Sequence, residues 1–163
     1  MDDRLKETGR CAYAAIDEMV TALNVDYERL AELTEWFKNI SLSDPMASVK
    51  LNSPDAIELH DLRADAGDCE DREDAERRIH EDALSIEVRT GWYSIGERPD
   101  SHEFNILLTT GGPAVRIMGE LDDNREPCRA WLEVQDWGTP WTRYYDASQA
   151  VLLAYARCFY FGE

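Results

Sequence analysis

The stretch EFNILLTTGGPAVRIMGELDDN, Glu103 to Asn124, decides the fold. Glu103 to Thr110 reads as a strand, Gly111-Gly112-Pro113 as a turn, and Ala114 to Leu121 as a second strand, so the segment is a β-hairpin closed by a further turn signal at Asp122-Asp123-Asn124. Working outward, Leu84, Ile86, Val88 and Trp92 alternate with Ser85, Glu87 and Arg89, the pattern of a half-buried strand, and Gly96 to Ser101 is a loop. On the other side Cys128 to Asp136 forms a strand with Ala130, Leu132 and Val134 on one face and Trp131 on the other. Gly138-Thr139-Pro140 bends the chain before a last short strand, Trp141 to Tyr145. The links are too short for crossover helices, so the sheet is an antiparallel meander of four or five strands.

Helices flank this meander. Leu5, Ala12, Ile16, Met19, Val20 and Leu23 lie on one helical stripe over residues 2–23. Asp26 suits the cap of a second helix with Leu30, Leu33, Phe37 and Ile40 on one face, and the short link between the two predicts a helical hairpin. Ser43-Asp44-Pro45 and Asn52-Ser53-Pro54 each set a capping side chain before a proline, which marks two further helix starts. Gly67 ends the second of these, and residues 69–82 predict a polar, solvated helix with Ala75, Ile79 and Ala83 as its stripe. Asp146 and Gln149 have capping-box spacing for a final helix, apolar nearly all round from Val151 to Phe161, with Gly162 at its exit. Such a helix belongs in the core. The expected class is α+β: N-terminal helices, an antiparallel meander and a C-terminal core helix. The expected division is a helical acidic segment, 1–83, and a sheet-plus-helix segment, 84–163, which one compact domain could also contain.

Composition narrows the partners. The chain of 163 residues carries a net charge of −17, from 34 Asp and Glu against 17 Lys and Arg. Between Asp55 and Asp82 twelve acids face four arginines, a local charge of −8. Charge of this size repels nucleic acid and acidic membranes and attracts basic surfaces. With 44% hydrophobic residues and five Trp, the chain is too rich in core formers for an acidic disordered segment. It has no apolar run long enough to span a bilayer and no secretory leader pattern at Met1-Asp2-Asp3, so a cytoplasmic location is expected. Cys11, Cys69, Cys128 and Cys158 lack metal-site spacing and are expected as reduced core residues.

The sheet half also carries a resemblance. Thr110-Gly-Gly-Pro-Ala-Val-Arg-Ile117, Gly119-Glu-Leu-Asp122, Leu132-Glu-Val-Gln-Asp-Trp-Gly-Thr-Pro-Trp141 and Phe159-Tyr-Phe-Gly162 resemble, in that order, a family of small phage-, prophage- and plasmid-borne proteins of proteobacteria. The resemblance covers about half the chain and leaves out the helical, acidic half. It supplies no catalytic residues. It implies a mobile genetic element acting inside a bacterial host cell, a context shared with inhibitors of host defence, anti-CRISPR proteins among them.

Two candidate binding surfaces follow. The first is acidic: Asp65, Asp68, Glu70, Asp71, Glu73, Asp74 and Glu76. On a helix rising about 1.5 Å per residue, a carboxylate at nearly every second position approaches the charge spacing of duplex DNA, about 1.7 Å. Such a surface would occupy the phosphate-binding groove of a basic nucleic-acid-binding host protein or complex. As a solvated face it would serve solubility instead. The second surface is aromatic: Trp137, Trp141, Tyr144 and Tyr145, either interface anchors or sheet packing. No catalytic residues, metal site or cofactor is predicted. Gly111-Gly112-Pro113 lacks the lysine and following helix of a phosphate loop. Direct nucleic-acid and membrane binding are not expected. The reading is a non-enzymatic, stoichiometric inhibitor of a nucleic-acid-processing defence complex, most plausibly of the CRISPR kind. Two alternatives stay open. One is an enzyme with a metal or acid/base site around His60 and His80; the other is a phage assembly or immunity-type binding protein. The oligomeric state and the target are left undetermined.

Overall fold

The computed structural model describes residues 2–40, 46–97 and 100–162. The chain is an α+β protein. Its elements run α1 (Asp3–Leu23), α2 (Tyr27–Lys38), α3 (Ala47–Lys50), α4 (Pro54–Ala66), α5 (Arg72–Asp82), β1 (Ser85–Arg89), β2 (Glu103–Thr109), β3 (Ala114–Leu121), β4 (Pro127–Gln135), β5 (Thr142–Tyr144) and α6 (Gln149–Ala156). The Ser43-Asp44-Pro45 helix start lies outside the described residues. Packing divides the chain into two compact units, Thr21–Glu76 on one side and Met1–Val20 with Arg77–Glu163 on the other. The grouping therefore differs from a linear cut at residue 83, because most of α1 packs with the sheet that follows it by sixty residues and more.

In the Thr21–Glu76 unit the caps are local and chemical. The Asp26 carboxylate accepts the Arg29 N–H at 2.9 Å, and the Ser53 hydroxyl accepts the Ala56 N–H at 3.3 Å ahead of Pro54 at the first turn of α4. Gly67, at φ 57°, ends α4, its N–H donating to the Arg63 carbonyl. Ala22, Cys69 and Ala75 form a small core joined by Tyr27, whose hydroxyl donates to the Ala22 carbonyl at 3.0 Å. The helix expected over residues 69–82 starts only at Arg72. Asp71 is its cap, its Oδ1 accepting the Asp74 N–H at 2.8 Å.

The other unit is built on a five-stranded antiparallel sheet in the order β1-β2-β3-β4-β5. Strand alternation gives β2 and β3 one buried face, with Phe104, Ile106, Val115 and Ile117 at most 2% exposed. The β2–β3 turn uses Gly111 and Gly112 at φ 112° and 146°, a backbone region that L side chains disfavour. Gly119 serves a different need: a Cβ there would overlap the Phe104 ring and the Arg129 carbonyl. Helix α6 packs on β4, with Leu152, Tyr155 and Ala156 buried. The fully buried Tyr155 donates to Asp82 Oδ2 at 2.7 Å, and burial together with that bond holds its phenol well above the ordinary tyrosine range.

Several expectations are corrected. Helix α6 begins after Ser148, without an Asp146 cap, and ends at Ala156 rather than near Gly162. The Cys158 and Phe159 N–H groups bond three residues back, to Tyr155 and Ala156, which tightens the last turn and closes the helix. Phe159 and Phe161 reach the core from the tail that follows, at 7% and 5% exposure. Strand β1 stops at Arg89, short of Trp92, and its aliphatic row is uncovered: Leu84, Ile86 and Val88 are 57%, 43% and 43% exposed. Of the cysteines only Cys69 is buried, while Cys11 and Cys128 are exposed.

Gly119→Ala is expected to cost about 3 kcal/mol or more through overpacking, and to be relieved only in part in a Phe104→Leu background because the overlap with the Arg129 carbonyl remains, read by urea unfolding of the single and double variants. Tyr155→Phe, which keeps the ring but strands a half-buried carboxylate, is expected to cost about 1.5–3 kcal/mol in the same assay.

Candidate functional site

The acidic surface lies on the Thr21–Glu76 unit, where fifteen carboxylates face five Lys and Arg, a net −10 over that range. The structure sorts the seven candidate acids by what they do locally. Asp71 and Asp74 both serve the N-terminus of α5: Asp71 Oδ1 accepts the Asp74 N–H at 2.8 Å, and Asp74 Oδ2 accepts the N–H of Glu70, one residue ahead of Asp71, at 3.1 Å. Glu76 pairs with Arg72 Nε at 3.2 Å, and the same guanidinium donates to the Leu23 carbonyl at 3.2 Å. Glu73, in the first turn of α5, is favourably placed against the helix dipole.

Asp65, Asp68 and Glu70 have no such structural account. All three are exposed and form no ion pair among the described residues. Asp65 sits in the last turn of α4, where the helix dipole disfavours a carboxylate. Asp68 and Glu70 project from the link between α4 and α5.

Elsewhere in this unit the acids are gathered by Arg29. Its guanidinium contacts Glu58 at 2.8 Å, Asp55 at 3.0 Å and Glu32 at 3.5 Å, tying α2 to α4. The bond to Arg29 holds the Glu58 carboxyl below the ordinary glutamate range, and the guanidinium is raised in turn, chiefly by its bond to Glu58.

The aromatic candidates separate. Trp137 and Tyr145 are 78% and 79% exposed, and Trp141 is half-buried. Tyr144 does not share their surface: it is 7% exposed, its ring lying against Gly9 of α1 where a Cβ would meet it at 2.5 Å. Strand β5 ends at Tyr144, and Tyr145 lies in the turn that follows, exposed beside Arg143. What joins Trp141 and Tyr145 is a set of side chains on the face of the sheet opposite the Ile106–Ile117 core. Glu133 Oε2 accepts Arg116 Nε and Nη2 at 2.9 and 2.7 Å, and Glu133 Oε1 accepts the Trp131 indole N–H at 2.8 Å. The Arg116 guanidinium lies over Trp141 at 4.1 Å, and Arg143 over Trp131 at 5.3 Å and Tyr145 at 5.6 Å. Tyr145, Arg143, Trp131, Glu133, Arg116 and Trp141 thus form one continuous row of rings and charges. Sequence reasoning missed Arg116, Glu133 and Arg143, which meet only through the β3–β4–β5 register, Arg116 opposite Glu133 opposite Arg143.

At one end of the row Trp137 and Trp141 border a depression of ≈370 Å³ with Leu107, Thr110, Gly112 and Gln135. Nearer β1 a second, of ≈200 Å³, is lined by Glu87, Arg89, Glu103, Asn105, Arg116 and Met118. Across its strands Arg89 pairs with Glu103 and Asn105 Nδ2 donates to Glu87 at 3.0 Å, while Arg116 is held by Glu133.

His60 is exposed, with Nδ1 3.5 Å from Asp61, and His80 sets its ring edge-on to Phe159 at 4.9 Å. Among the described residues no group of three or more His, Cys, Asp and Glu is arranged to hold a metal ion, and no helix is long and apolar enough to cross a membrane. No family model, no curated protein and no solved structure matches the chain.

The Arg29 cluster generates a pH test. A depressed carboxyl pKa adds stability above the ordinary glutamate range, and this is lost as pH falls through the folded-state value. Arg29→Ala is therefore expected to lower the thermal midpoint most near neutral pH. The gap to the parent should close as pH falls below the glutamate range; a gap that is constant with pH would place the loss in packing.

Proposed function

We propose that this protein is a stoichiometric binding protein, acting inside a bacterial host cell, that occupies the basic, nucleic-acid-binding surface of a defence complex and so inhibits it. By context the target is an effector of the CRISPR kind. One observation carries the reading: Asp65, Asp68 and Glu70 hold charge where it does nothing for the fold, in a unit already at −10. Carboxylates without local partners are available to the Arg and Lys side chains that bind phosphate. The mobile-element resemblance of the sheet half points the same way. Among the seven candidate acids, Asp71, Glu73, Asp74 and Glu76 serve the helix start and its ion pair, so the proposed contact centres on the other three.

Affinity capture from a bacterial lysate at low salt tests the proposal. The expected result is one basic nucleic-acid-binding complex, released as salt rises and displaced by DNA or guide RNA. Changing Asp65, Asp68 and Glu70 together to Lys is expected to weaken the isolated interaction by about tenfold or more, with thermal stability nearly unchanged because the sites are exposed. Salt-indifferent binding would overturn the acidic mechanism. Loss of binding in Trp137→Ala/Tyr145→Ala, with the triple-Lys variant binding normally, would move the interface to the aromatic row.

A further inference from the structure

The β1 edge of the sheet does not look like the edge of a finished protein. Ile86 and Val88 are the register partners of Ile106 and Phe104, which are 0% and 1% exposed. The apolar row that is core on β2 therefore continues onto β1, where Ile86 and Val88 are each 43% exposed and Leu84, bonded through its N–H to the Leu107 carbonyl at 2.8 Å, is 57% exposed. Edge strands are ordinarily blunted by proline, charged side chains, shortness or a bulge. Strand β1, the five residues Ser-Ile-Glu-Val-Arg, has no proline and pairs with β2 without a register shift, and its charges, Glu87 and Arg89, lie on the face opposite the aliphatic row.

We propose that this edge is occupied by a second copy of the chain, two β1 strands pairing antiparallel about a two-fold axis at Ile86. Residues directly opposed in an antiparallel pair share a face, so an axis normal to the sheet must pass through a residue. Centred on Ile86, the pairing sets Ile86 against Ile86 and Leu84 against Val88 twice, an unbroken aliphatic row, while Ser85 faces Glu87 on the other side. Centred on Glu87, it opposes two carboxylates directly, which is destabilising. Centred on Val88, it sets Glu87 against Arg89 twice but opposes Ile86 to Thr90 and leaves Val88 as the one aliphatic match within the strand. The aliphatic row is thus self-complementary in the Ile86-centred register, as a two-fold interface requires. In that register each Glu87 keeps the Asn105 amide of its own chain, the contact formed at 3.0 Å.

Net charge sets the sign of the salt effect. Two copies at −17 each repel, so screening strengthens the pairing, the opposite of what salt does to an acidic protein and a basic partner. Sedimentation velocity of the full chain in reductant, over a concentration series at about 50 and about 500 mM NaCl, tests this. A monomer–dimer equilibrium that tightens severalfold at the higher salt is expected. Ile86→Lys should abolish it with the circular dichroism spectrum unchanged. Glu87→Gln, which removes the charge and keeps a partner for Asn105, should tighten it severalfold at low salt, a gain that misfolding would not produce. A chain monomeric in both salts would overturn the proposal and leave the edge to a different occupant. So would a dimer that survives in a folded Ile86→Lys variant, or one that salt weakens.

Discussion

Everything in the sheet unit depends on the alternation along β3. Val115, Ile117 and Leu121 face inward with Gly119 among them, and Arg116, Met118 and Glu120 face outward. Both neighbouring strands are locked to it in register, so one face must be covered and the other must be satisfied in place. Gly119 shows how tight the covered face is, since Phe104 fills the space a side chain would need. The open face answers with cross-strand pairs: Arg116 with Glu133, Arg129 with Glu120, and Arg89 with Glu103. Of these, Arg116–Glu133 is the most sheltered, at 22% and 18% side-chain exposure, and it alone is also bonded to one tryptophan and stacked on another. Charge there is part of the sheet's construction and is not spare binding capacity.

The helical unit handles its charge differently. It has three times as many acids as bases, and it spends some of them at helix starts. Asp26, Asp71 and Asp74 each accept a backbone N–H that would otherwise go unpaired. Arg29 neutralises a further group at the α2–α4 contact. What is left at the α4–α5 link is charge the fold does not use.

Much of this organisation is legible in the sequence. Asp26, Ser53-Pro54 and Gly67 act locally, through bonds to residues three or four positions away, so their roles follow from spacing alone. The strands of the meander follow from alternation and turn residues. The uncovered state of β1 does not: alternation reports which residues share a face, and nothing in Leu84, Ile86 and Val88 says whether a helix lies over that face. The end of α6 was hidden for a related reason. A segment apolar all round has no period to lose, so Phe159 and Phe161 read as helix when they are a buried tail. The Asp71–Asp74 spacing did carry a capping signal, masked by the density of acids around it. The Arg116–Trp141 stack had none, because it joins residues from different strands.

The partition of the chain has a kinetic side. Strands β1 to β5 are ordered as they are made, so each can pair with its predecessor as it emerges. Residues 3–20 of α1 belong to the same unit, yet they leave the ribosome before any strand exists. The stripe carrying Leu5, Ile16 and Met19, buried in the finished protein, has no paired strands to meet until Thr109 at the end of β2 has been synthesised. Closing that long loop is a non-local step of folding, and in the interval before it the nascent chain carries that apolar stripe without its partner.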